Sequence, residues 1–109
     1  MFEYTPGGAW AQKASIPTAR SGVACGVCGD HIIVAGGELN AANPNSVFAE
    51  VEAYTVSTDT WLALPPMITP RHGTGGAVWN SSFYVPGGAT RTGFEAVDTH
   101  EVLRLGMCQ

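Results

Sequence analysis

The chain has 109 residues and a formal net charge of −4; 45% of its residues are hydrophobic, 13% are charged, and only five are Lys or Arg. Those few scattered cations cannot form the basic stripe that a phosphate backbone requires, so nucleic acid is not an expected partner. The longest apolar run, Ile32-Ile33-Val34-Ala35, is far short of the ~20 residues of a membrane-spanning helix, and no membrane partner is expected either.

The 14 glycines and seven prolines, with a charged fraction about half of the usual ~25%, point to an all-β chain with tight turns. The opening Met1-Phe2-Glu3-Tyr4-Thr5-Pro6 is acidic and turn-like rather than basic then apolar, so it does not read as a secretory leader. Three cysteines, Cys25, Cys28 and Cys108, are an odd number and a poor disulfide framework. They favour a reducing, cytoplasmic compartment.

In chain order, Phe2-Glu3-Tyr4 and Trp10 read as two short strands. Segments 22–28 and 31–37 follow as apolar runs around Gly29-Asp30, a hairpin turn that tolerates positive φ. A loop at 38–47 leads to a run at 48–56. Ser57-Thr58-Asp59 then turns the chain into 60–64, and a Pro-rich stretch closes the unit at 65–71. From there the pattern begins again. Shifting the sequence by 51 residues aligns Trp10 with Trp61, Arg20 with Arg71, Gly22 with Gly73, and Gly36-Gly37 with Gly87-Gly88. Past the glycines the offset falls to 49 and matches Glu52 with Glu101 and Tyr54 with Leu103. The first copy therefore carries two extra loop residues.

A period near 50 joins Arg71-His72-Gly73, Phe83-Tyr84-Val85-Pro86-Gly87-Gly88 and their earlier copies to Val51-Glu52-Ala53-Tyr54 and Thr60-Trp61. A double glycine, a tyrosine and a tryptophan in that order resemble the signature of the kelch-repeat β-propeller family, within the galactose oxidase-like superfamily. The resemblance implies antiparallel four-stranded blades, with strands A to D, set radially about a channel. On that reading residues 1–19 end a preceding blade, 20–65 form a complete blade, and 66–109 form a blade lacking its fourth strand. The double glycines are expected to admit a close backbone approach. The tryptophans are expected to bury against neighbouring blades.

Two blades cannot close a ring, since propellers typically have four to eight. A fragment of a longer propeller is the preferred account. An assembly that completes a blade in trans by head-to-tail self-association, or a two-blade monomer, remains open.

Antiparallel connectivity places the B–C loops, 38–47 and 89–95, on one surface with the D–A segment 65–71. Function tends to sit on loops held by a rigid scaffold. Glu38, Asn40, Asn43, Asn45, Arg71, His72, Arg91 and Glu95 are therefore the candidate partner-binding residues. Arg20 and Arg71 recur at the same repeat position, which also suits a structural role in binding loop carbonyls.

The resemblance also reaches copper oxidases and sugar-processing enzymes. A copper site needs converging imidazoles and tyrosinate, yet His31 and His72 begin strands at opposite ends of the blades, roughly 15 Å apart for a five-residue strand. His100 lies further out. Cys25-Gly26-Val27-Cys28 has no second ligand pair for zinc and no helix N-terminus to activate a thiolate, so both cysteines read as small buried hydrophobes. Asn80-Ser81-Ser82 is a glycosylation sequon that matters only in a secreted eukaryotic chain. No cofactor, metal site or catalytic constellation is expected. The chain reads as a non-enzymatic module that binds a protein partner; the alternative is part of an enzyme or carbohydrate-binding propeller whose site residues lie in other blades.

Overall fold

A computed structural model describes residues 1–39, 42 and 45–108. Among the described residues there is no helix, and all nine strands pair antiparallel. Strands β1 (Phe2–Tyr4) and β2 (Trp10–Gln12) form a hairpin. Strands β3 (Ala24–Cys28), β4 (His31–Ala35), β5 (Val51–Thr55) and β6 (Thr60–Leu64) form a four-stranded sheet in chain order. Strands β7 (Ala77–Trp79), β8 (Ser82–Pro86) and β9 (His100–Arg104) form a three-stranded sheet, again in chain order.

The turns follow the expected chemistry. Gly29 and Asp59 adopt φ of 57° and 52°, while Asn80 and Ser81 adopt 47° and 56°, as a two-residue hairpin of primed type demands. At the same end, Asp30 accepts the backbone N–H and hydroxyl of Ser57, so the A–B and C–D turns brace one another.

The core lies between the two larger sheets. Pairing puts Ala24, Ala35 and Val51 in one rung of the first sheet and Ile33 with Ala53 in another, all on one face. That face packs on Phe83, Val85 and Leu105, and every member of the cluster is buried. Burying a side chain of Ile, Val or Phe size contributes ~1.5–3 kcal/mol each, which makes this contact the main source of apolar stabilisation. The backbones also meet. Gly36 has φ of 65°, and a Cβ placed on it would run into the Arg71 carbonyl oxygen. The Gly37 N–H donates to that same carbonyl at 2.9 Å. The double glycine is thus the seat for the next sheet's entering loop, as expected of a close approach.

Two expectations fail. Trp61 is half-buried, stacked at 5.2 Å on Tyr54 and donating its indole N–H to the Ala14 carbonyl. Trp10 and Trp79, however, are 69% and 70% exposed, because no other sheet among the described residues packs on them. The cysteine reading fails in part: Cys28 is buried in the core as expected, but it is not a free thiol. Cys28 is bonded to Cys108 across 80 residues, with a Cα–Cα distance of 4.6 Å, while Cys25 is free and exposed. The segment after β9 runs back to the end of β3, a proximity that residue spacing alone could not reveal. The odd cysteine count therefore no longer argues for a reducing, cytoplasmic setting.

Reducing this disulfide, or replacing Cys108 with Ser, should lower stability by about 2–5 kcal/mol, given the long loop it closes. Cys25→Ser should change it by under about 0.5 kcal/mol. Denaturant unfolding with and without reductant measures both.

Candidate functional site

Beneath the loop end of each larger sheet lies a buried arginine. The Arg20 guanidinium donates to the carbonyls of Thr18, Gly36, Val34 and Glu50, and reaches Glu52 Oε2 at 2.6 Å. Arg71 repeats the set on Thr69, Val85, Gly87 and Thr99, and reaches Glu101 Oε2 at 3.1 Å. Both guanidinium side chains are fully inaccessible. Five donors in a planar fork suit this clustering of carbonyls, which lysine could not match.

Glu101 also accepts the backbone N–H groups of Ile68 and Thr69. Its partial burial opposes ionisation, but those two N–H groups and the Arg71 charge outweigh that and hold its carboxyl below the usual 4.5. At the outer edge of the four-stranded sheet, the Asp59 carboxylate accepts the Ala14 N–H and the Tyr54 hydroxyl. These bonds lower Asp59, the Ala14 N–H contributing most, and the bond to Asp59 pushes the Tyr54 phenol up to about 12.

Above the arginines the two B–C loops are tied together. Glu38 Oε1 lies 3.3 Å from His72 Nδ1, and Glu38 Oε2 accepts the Gly93 N–H at 3.1 Å. His72 Nε2 bonds the Arg91 carbonyl at 2.6 Å. One carboxylate on the first loop thereby grips the second loop twice, once directly and once through His72. Arg91 and Glu95 pair at 2.6 Å on the outer surface. A cleft of about 430 Å³ separates the loops, with Asn45, Thr69, Thr90 and Arg91 in its walls.

Residues 19–68 match the family model described as the Kelch motif. The chain belongs to the kelch-repeat family. Kelch-like protein terF of Aspergillus terreus is 40% identical over 78 residues, which cover 72% of this chain and 17% of that protein. The chain thus spans less than a fifth of the length of this curated relative.

Set on kelch blades, the eight candidate residues separate by depth. Arg91, Glu95 and Asn45 are exposed. Glu38 is half-buried, and His72 is buried within the inter-loop tie. Arg71 is 1% exposed and turned inward, which corrects its placement on the contact surface and bears out the structural role in binding loop carbonyls: its bonds run to backbone carbonyls and Glu101. Asn40 and Asn43 lie outside the described residues.

Sequence reasoning missed Phe94, 89% exposed at the loop crest between Gly93 and Glu95, although a bulky apolar residue beside a loop glycine was the available signal. It also missed that the repeated arginines pair with the repeated glutamates, although Glu52 and Glu101 stood in register. Glu95, at φ of 108°, is held in a conformation rare for a residue with a Cβ; such positions concentrate at functional loops. Among the described residues no group of three or more metal-ligating side chains is gathered.

Arg71→Met should cost about 3–5 kcal/mol, because it strands Glu101 beside carbonyls that lose their donor. Glu101 and Asp59 have lowered folded-state values, so their contribution is complete above the ordinary carboxylate range and is lost as pH falls through it. Urea midpoints measured from pH 7 to pH 3 should fall in that acidic window, and Glu101→Gln should flatten part of the decline.

Proposed function

We propose that this chain acts as a non-enzymatic interaction module and binds a protein partner through the loop end of its blades. The observation that carries this reading is the Glu38–His72–Arg91 tie, which joins the start of the first B–C loop to the second loop across the blades. A preorganised surface loses less conformational entropy on binding, and loops on a rigid scaffold are common binding elements. The platform presents an aromatic anchor, Phe94, beside Arg91, whose side chain is 79% exposed. Aromatic residues, Phe among them, and Arg are enriched in protein interfaces relative to the rest of the surface.

On this reading Phe94, Arg91, Glu95 and Asn45 meet the partner, Glu38 and His72 position the loops, and Arg71 supports them from below. The name of the Aspergillus terreus relative specifies no partner or reaction, so the reading rests on the loop end alone.

A photo-crosslinking residue at position 94 should give a discrete protein adduct in extracts of the source organism, while the same residue at Val56, exposed near the opposite end, should not. Arg91→Ala should weaken that adduct by roughly tenfold or more if Arg91 is a hot spot. Equal labelling from positions 94 and 56, or no adduct from either, would overturn the proposal.

A further inference from the structure

The tie between the two loops turns on one imidazole whose ring nitrogens both face acceptors. His72 Nε2 lies 2.6 Å from the Arg91 carbonyl oxygen, which can only accept, so Nε2 carries a hydrogen. Nδ1 lies 3.3 Å from Glu38 Oε1, on a carboxylate whose Oε2 accepts the Gly93 N–H. A neutral imidazole has one N–H, and the Arg91 carbonyl already takes it. With Glu38 ionised, the neutral ring would therefore turn a lone pair on the carboxylate. Only a further proton, on Nδ1 or shared with Glu38, makes the contact attractive, and it is then a charge-assisted bond. The side chains of His72 and Glu38 are 7% and 16% accessible, so solvent screens little of the difference between the two states.

The kelch blade does not need this histidine. A shift of 51 residues carries His72 to Ser21, whose hydroxyl donates to the Glu38 carbonyl, and sets Ala89 where Glu38 stands. The backbone bridge that seats the loop is present in both repeats, Ser21 with Glu38 and His72 with Ala89. A hydroxyl that does not titrate serves the first blade. The imidazole and the carboxylate facing it are thus additions to the repeat that link its two copies. Other charges on the elements packed around His72 are already engaged. Arg20 and Arg71 bond Glu52 and Glu101 below the loops, and Arg91 turns its guanidinium to Glu95 on the outer surface.

We propose that this tie is a proton-operated latch between the two B–C loops, closed while His72 holds a proton on each ring nitrogen and released as pH rises and the Nδ1 proton leaves. The Glu38 contact favours the charged ring, so the latch is complete at mildly acidic pH and is lost upward through the range in which histidines lose their charge, ~pH 5–8. Its direction is opposite to that of Glu101 and Asp59, whose contributions are lost toward acid. On release Glu38 leaves the ring and its bond to the Gly93 N–H goes with it, which frees the second loop from the first. The device belongs to the loops themselves and holds whether or not they bind a protein.

Imidazole nitrogen NMR of the intact chain, taken from about pH 5 to about pH 8, should show His72 with both nitrogens protonated at the acidic end and hydrogen on Nε2 alone at the basic end. With the same midpoint the Gly93 amide should shift and, after correction for the intrinsic rise of exchange with pH, lose protection by roughly tenfold. His31 and His100 titrate in the same spectra and should leave Gly93 unmoved. Glu38→Gln supplies an amide whose NH2 can donate to the neutral Nδ1 while its oxygen keeps the Gly93 N–H, so protection should be retained at the basic end. A Gly93 amide that ignores the His72 midpoint, a His72 ring that keeps one charge state across the range, or a Glu38→Gln chain that still loses protection as pH rises would overturn the proposal.

Discussion

A guanidinium buried under each loop end, saturated by backbone carbonyls and one carboxylate, is the constraint on which the rest of this structure depends. Strand ends at a blade's rim leave several carbonyls pointing into a small, poorly hydrated space, and each would be costly without a donor. Arg20 and Arg71 supply those donors with one side chain apiece. Glu52 and Glu101 supply the counter-charge that makes burial tolerable. Because Arg71 holds Thr69, Val85, Gly87 and Thr99 together, it sets where the D–A segment, the second strand and the third strand of its blade stand relative to one another.

That placement governs how one blade meets the next. The Arg71 carbonyl is carried to the Gly37 N–H, and the Gly22 carbonyl receives the Gly73 N–H at 2.9 Å. A side chain at Gly36 would occupy the place of the incoming carbonyl, so the double glycine is a condition of blade packing as well as of strand termination. With the backbones seated, the apolar faces close on Phe83 and Val85. The disulfide between Cys28 and Cys108 ties the opposite end of the same interface. Polar contacts set the register between blades, and apolar burial supplies most of the stabilisation.

The loop platform is built on this frame. Glu38 belongs to one blade, while His72 and Gly93 belong to the other, so the grip between loops exists only when the blades are docked. The loop crest can then carry Phe94 in water and Glu95 at positive φ, features that a less constrained segment would relax. The kelch repeat provides the support below without specifying the exposed residues above, Phe94 and Arg91 among them.

Much of this was legible from residue order. Repeated Trp, Arg and double-glycine positions revealed the period, and turn residues such as Gly29, Asn80 and Asp59 marked the hairpins. Such signals are local or periodic, and each rests on the φ preference or size of a single residue. The same register placed Glu38, His72 and Arg91 on one surface, because antiparallel connectivity alone assigns loops to ends. It could say that the recurring Arg71 suits loop carbonyls, but not that Trp10 and Trp79 stand in solvent or that Cys28 meets a thiol 80 residues away. Those outcomes depend on which faces find a neighbour and where a returning strand leaves the chain. Residue order by itself therefore determined the strands, their pairing and the repeat. Tertiary packing alone decided which repeated positions are buried, which are paired across blades and which stay open, because burial is a property of two surfaces in contact.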